Sequence, residues 1–120
     1  MEELPDDAPR MSALLADIAE PMLQGLELPE QEDEFRAGLM LAAAVWNAST
    51  FRSRRRRRKA LAAVKRMSDV PLPEELCALC DQVFERARSR YPDERRTIAD
   101  VELVRETESR FRINVLSAQI

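Results

Sequence analysis

The residues best suited to chemistry in this sequence form a dense group of bases near its middle. Seven basic side chains occupy eight consecutive positions: Arg52, Arg54, Arg55, Arg56, Arg57, Arg58 and Lys59. Basic groups at this density neutralise backbone phosphates and release the counterions that surround a nucleic acid. They are equally able to bind an acidic protein surface. The basic segment, residues 52–59, is therefore a candidate binding site for nucleic acid or for an acidic partner.

A third interpretation of the basic segment requires no partner. Residues 1–34 contain eleven acids and one base, for a net charge of -10, whereas residues 35–68 contain ten bases and no acid. The middle of the chain is thus the electrostatic complement of its first third. The simplest interpretation is a solvated basic segment that neutralises this acidic third, and the two binding interpretations stay open beside it.

Composition excludes several familiar kinds of catalysis. The sequence has no histidine, which is the usual near-neutral acid or base and the commonest metal ligand. Its only glycines, Gly25 and Gly38, are too far apart to form a phosphate-binding loop. Cys77 and Cys80 have the spacing of half a zinc site, but there is no second cysteine pair. We interpret these thiols as core residues.

Carboxylates are the remaining side chains that could take part in catalysis. Asp17 with Glu20, and Glu30 with Asp33, have the i,i+3 spacing that holds Mg²⁺ in some helical nucleotide hydrolases. Acidic residues are abundant here, however, and Glu30 and Asp33 also suit the start of a helix. We interpret both pairs as solvated faces. The sequence therefore predicts no metal site, no cofactor and no enzymatic activity.

The overall composition is that of a globular protein with one domain. The chain has 120 residues, of which 45% are hydrophobic and 34% charged. No apolar run approaches the roughly 20 residues that a membrane-spanning helix needs. The first residues are acidic, whereas a secretion signal begins with basic residues. We expect a cytoplasmic protein that does not interact with a membrane.

Apolar residues at helical spacing predict four helices within residues 10–91. The predicted spans are residues 10–24, a second helix from about 30 to 50, a third after Ser53 as its N-cap, and a fourth over 73–90. Trp46 lies on the apolar stripe of the second helix. It is interpreted as a core residue, with an anchor for a partner interface as the alternative.

Towards the end of the chain, the spacing of apolar residues changes from that of a helix to every second residue. Alternating residues over 97–117, interrupted by the polar stretch 106–110, predict a β-hairpin. A lone hairpin is marginally stable, so we expect it to pack on the helices. The predicted fold is α+β and predominantly α, with a mobile acidic tail over 1–9. Because the hairpin edges are open, we also expect a homodimer through helix 2 or through the hairpin edge.

Two functions from different classes follow. The first is a small non-enzymatic interaction or adaptor protein, whose complementary acidic and basic segments bind a protein partner or a second copy of the chain. The alternative is a nucleic-acid-associated accessory protein that uses residues 52–59 for contacts to the phosphate backbone. Salt dependence separates the two, because neutralisation of the backbone is strongly sensitive to ionic strength.

Overall fold

The structure of the protein is a computed structural model that describes residues 10–66, 72–108 and 110–118. Its elements are α1 (Met11–Leu23), α2 (Glu32–Ser49), α3 (Arg54–Val64), α4 (Glu74–Arg90), β1 (Thr97–Thr107) and β2 (Arg110–Ala118). The predicted α+β architecture of four helices followed by an antiparallel hairpin is confirmed. The predicted tail over 1–9 lies outside the described residues.

The core lies where α1, α2 and α4 meet. Its largest fully buried side chains are Leu14, Leu15, Ile18, Leu39, Val45, Trp46, Cys80 and Val83. Gly38 lets α1 approach α2 closely, since a Cβ atom there would lie 3.2 Å from the Leu23 side chain.

Charged groups join α1 to α4 at the edge of this core. The Asp17 carboxylate accepts a hydrogen bond of 2.7 Å from the Tyr91 hydroxyl and also pairs with Arg90. Arg86 donates to the Asp17 carbonyl oxygen at 3.0 Å and lies 2.8 Å from the Glu20 carboxylate. The acids of α1 are therefore held by bases from α4.

The hairpin places its apolar face on the helices. Val101 is opposite Val115 and Leu103 is opposite Ile113, and Leu103 is buried. The register shifts between Ile98 and Asp100, which is a β-bulge. Strict alternation over 97–104 predicts that Ile98 shares a face with Asp100, and this is wrong. The extra residue at the bulge allows the Ile98 side chain to be buried.

Two side chains of α2 fasten the hairpin and the loop before it. The Trp46 indole donates to the Arg96 carbonyl oxygen at 2.8 Å. The Asn47 amide both donates to the Ile98 carbonyl oxygen at 2.8 Å and accepts from the Ile98 amide at 2.7 Å. Asn47 thus satisfies both backbone groups of Ile98, as a neighbouring strand would. The loop between α4 and β1 is consequently held against the end of α2.

An ion pair within this loop predicts a dependence of stability on pH. Arg96 donates to both carboxylate oxygens of Glu94, at 2.9 and 3.0 Å, and this bonding holds the pKa of Glu94 below its usual value of 4.5. A lowered pKa in the folded state means that the stabilisation is complete above the unfolded pKa and is lost as the pH falls through the folded one.

We therefore expect Glu94→Gln to be less stable than the wild type at neutral pH by about 1–2 kcal/mol, and to lose less stability on acidification. Urea unfolding at neutral pH and at about pH 3 measures both effects. Glu85→Gln, an exposed carboxylate on α4, is the matched control. An equal loss of stability on acidification in the wild type and in Glu94→Gln would contradict this assignment.

Candidate functional site

Six of the seven bases of the basic segment, residues 54–59, form the beginning of α3. Ser53 is its N-cap, with an extended backbone and a side-chain oxygen that accepts from the Arg56 amide at 3.4 Å, as expected from the sequence. The first turn of α3 contains no acid and begins a run of five arginines. Positive charge is unfavourable at a helix N-terminus, because it opposes the helix dipole. The charges of these arginines therefore do not stabilise α3.

The arginines point in different directions around the helix. Arg57 faces the protein body, where one guanidinium nitrogen donates to the carbonyl oxygens of Phe51 and Arg52, at 2.9 and 2.8 Å. It thereby fixes the loop between α2 and α3. Four other bases line a shallow depression of about 460 Å³ on the outward side, which we call the outer depression. They are Arg54, Arg55, Arg58 and Lys59.

A second depression lies on the other side of the α3 N-terminus. This loop cavity, of about 350 Å³, is lined by Thr50, Phe51, Arg52, Ser53, Arg56 and Arg95. Arg95 comes from the loop between α4 and β1. Its position follows from the fold, because the next residue, Arg96, is bound to α2 through Trp46. Two arginines of the basic segment and one from the loop before β1 thus line the same cavity.

The electrostatics of Arg57 show how closely these bases are gathered. Burial, followed by the charges of Arg88, Arg95 and Arg54, lowers the pKa of Arg57. Arg88 also lies near the end of α2, where it donates to the Ser49 carbonyl oxygen at 3.5 Å. Arg57 is therefore repelled by guanidinium groups from its own helix, from α4 and from the loop before β1.

Four of the acids that the structure describes in the first third form ion pairs elsewhere. Those of α1 pair with α4, and Glu32 and Asp33 pair with Arg36 of their own helix. Within residues 10–66, 72–108 and 110–118, no carboxylate forms an ion pair with a base of residues 52–59 or with Arg95. Over this part of the chain, the basic segment is not neutralised by the acidic third.

Trp46, the other candidate binding residue, is 1% exposed. Its ring packs edge-on against Tyr91, with 6.3 Å between the ring centroids, and its indole nitrogen is hydrogen-bonded to the loop. It occupies the position of a core residue, the first of the two interpretations made from the sequence. In this conformation the ring offers no surface to a partner.

Other candidate groups have structural roles. Cys80 is buried, and burial raises the pKa of its thiol to about 11, opposite to the shift that makes a cysteine reactive. Among the described residues, no three acids or cysteines come together as a metal site. Nor, in the same part of the chain, is any helix long and apolar enough to cross a membrane.

The predicted dimer surfaces include exposed apolar side chains, but one strand edge is partly occupied by side chains of the same chain. Met40 on α2 is 56% exposed and Leu116 on β2 is 65% exposed, beside depressions that share Asp100. The β1 edge is partly occupied, because Asn47 binds Ile98 and the Asp100 carboxylate accepts from the Val101 amide at 2.9 Å. Edge-to-edge pairing at these residues would have to displace both side chains. The homodimer stays a prediction, and a monomeric mass in light scattering would remove it.

The sequence indicates the basic segment but not the residues that lie near it in the structure. Arg88, Arg95 and Asn47 come from α4, from the loop before β1 and from the end of α2. Phe51 is the only aromatic residue next to the run of bases in the sequence. Pro92 and Asp93 mark the loop after α4 in the sequence, but nothing local indicates that Arg95 lies beside α3.

Comparisons of the chain with protein-family models, with curated proteins and with solved structures find no match.

Proposed function

We propose that this protein binds nucleic acid through its phosphate backbone, using the bases around the N-terminal half of α3. The observation that carries the proposal is the gathering of guanidinium groups around α3 without a carboxylate partner among the described residues. Like charges brought together are unfavourable in the free protein, and a polyanion relieves that repulsion.

Arginine is well suited to this role. Its planar guanidinium group binds phosphate oxygens in pairs and remains charged at any physiological pH. The outer depression presents three arginines and a lysine, and the loop cavity presents three further arginines. Contacts to phosphate oxygens carry no information about the nucleotide sequence. The proposed binding is therefore independent of sequence.

Composition alone favours the interaction or adaptor function over nucleic-acid binding, and we now propose the opposite order. That function relied on complementary acidic and basic segments, and several acids of the first third are already paired within the chain. The exposed Met40 and Leu116 are the observation that keeps a protein-binding role as the second candidate. They lie outside the residues that line the two basic depressions.

A comparison of two polyanions tests the choice between nucleic acid and an acidic protein partner. Polyglutamate and an oligonucleotide of equal charge are titrated against the protein at low salt. We expect the oligonucleotide to bind at least about 10-fold more tightly, because guanidinium groups bind phosphate oxygens in pairs and binding releases the counterions condensed on the backbone. Equal affinity for the two polymers would contradict the proposal and favour an acidic protein partner.

A further inference from the structure

Phe51 is an exposed aromatic residue inside a group of arginines. It lines the loop cavity together with Arg52, Arg56 and Arg95, and it is 41% exposed. The phosphate contacts of the proposed function make no use of an aromatic ring. An aromatic face beside guanidinium groups is the usual combination in proteins that bind single-stranded nucleic acid.

The backbone that carries Phe51 is held in place. Its carbonyl oxygen accepts a hydrogen bond from Arg57, which binds the Arg52 carbonyl oxygen as well. The preceding residue, Thr50, donates its hydroxyl proton to the Asn47 carbonyl oxygen at 2.7 Å. Because the loop is fixed, little conformational entropy is lost when a planar group stacks on the ring.

We propose that the loop cavity is a nucleotide subsite, in which a base stacks on Phe51 and the adjoining phosphate is bound by Arg52, Arg56 and Arg95. The inference depends on the proposed function and specifies its substrate as single-stranded nucleic acid. In a duplex, both faces of every internal base are covered by neighbouring bases. Only an unpaired strand can offer a base to Phe51 and a phosphate to the arginines at once.

The second depression indicates that the ligand is a strand rather than a free nucleotide. The loop cavity and the outer depression lie on two sides of the first turns of α3, and a helix with its side chains is about 10–12 Å across. A few consecutive nucleotides cover that distance. A strand therefore occupies both depressions, whereas a mononucleotide fills only one.

Replacement of Phe51 tests the subsite. Anisotropy is measured with three labelled ligands of equal phosphate number: a mixed-sequence single strand of about 15 nucleotides, a duplex, and an abasic strand. The wild type is expected to bind the single strand about 10-fold more tightly than the other two. Phe51→Ala loses this preference and binds all three alike, and Phe51→Tyr, which keeps the ring, retains it.

The possible outcomes separate this inference from the proposed function. Equal affinity of the wild type for the three ligands, or an unchanged preference in Phe51→Ala, overturns the subsite and leaves backbone binding intact. An unlabelled mononucleotide is added as a competitor, and its displacement of the labelled strand at a lower concentration than the unlabelled strand requires would overturn the assignment of the ligand as a strand. Absence of binding to all ligands overturns both proposals. Because Phe51 is exposed, Phe51→Ala is expected to fold as the wild type does, which thermal unfolding verifies.

Discussion

Replacing Arg54, Arg55 and Arg58 together with glutamine is expected to weaken binding to a generic oligonucleotide by about 30- to 100-fold at low salt. These residues line the outer depression, where they point away from the core. Glutamine preserves much of the side-chain length and the helical preference but removes the charge. The loss therefore measures contacts to phosphate and not the folding of α3.

The salt dependence should change together with the affinity. A single strand loses about 0.7 in the slope of log K against log salt for each phosphate that is no longer neutralised. Removal of three contacts reduces the slope by about 2. Anisotropy titrations of the wild type and the variant at several salt concentrations measure both quantities.

A control with the same change in net charge separates a local site from general attraction. Arg10, Arg105 and Arg110 are exposed bases outside both depressions, and we expect their joint replacement with glutamine to weaken binding less than about 3-fold. Equal losses in the two triple variants would contradict a site at α3 and assign the binding to overall charge.

Asn47→Ala is expected to lower the free energy of unfolding by about 2–4 kcal/mol. The substitution removes both hydrogen bonds to Ile98, a residue that is itself buried. The amide and the carbonyl of Ile98 then lose their partners at the start of β1, which is costly in a buried position. Urea unfolding followed by circular dichroism measures the change.

The chain contains one other asparagine, Asn114 on β2, and it provides the matched control. Asn114→Ala should change the free energy of unfolding by no more than about 0.5 kcal/mol. Asn47→Ala should also weaken oligonucleotide binding moderately, since Asn47 and Trp46 hold the loop that carries Arg95. Equal stability of the two variants would show that the Asn47 bonds do not hold the hairpin.

Much of the fold follows from local patterns. Apolar residues at helical spacing, Ser53 as an N-cap and the change of period after Thr97 predict four helices and a hairpin, and these elements are present. The bulge at Ala99 could not be predicted, because the alternation continues through it in the sequence. Packing against α2 and hydrogen bonds with Asn47 determine which face of the hairpin the Ile98 side chain occupies.

The candidate site was predictable only in part. The run from Arg54 to Arg58 is evident in the sequence, but the division into an inward Arg57, an outer depression and a loop cavity depends on how α3 packs. Arg95 lies about 40 positions further along the chain and reaches the cavity through contacts made by α2. Long-range contacts of this kind leave no periodic signal in one sequence.

The most direct test of the central claim is the affinity of the wild-type protein for two oligonucleotides of unrelated sequence, measured by anisotropy over a series of salt concentrations. Neutralisation of three to seven phosphates by the bases around α3 predicts a slope of log K against log salt of about -2 to -5. The two sequences should give the same affinities and the same slope. Absence of binding at low salt, or an affinity that does not change with salt, would contradict the account.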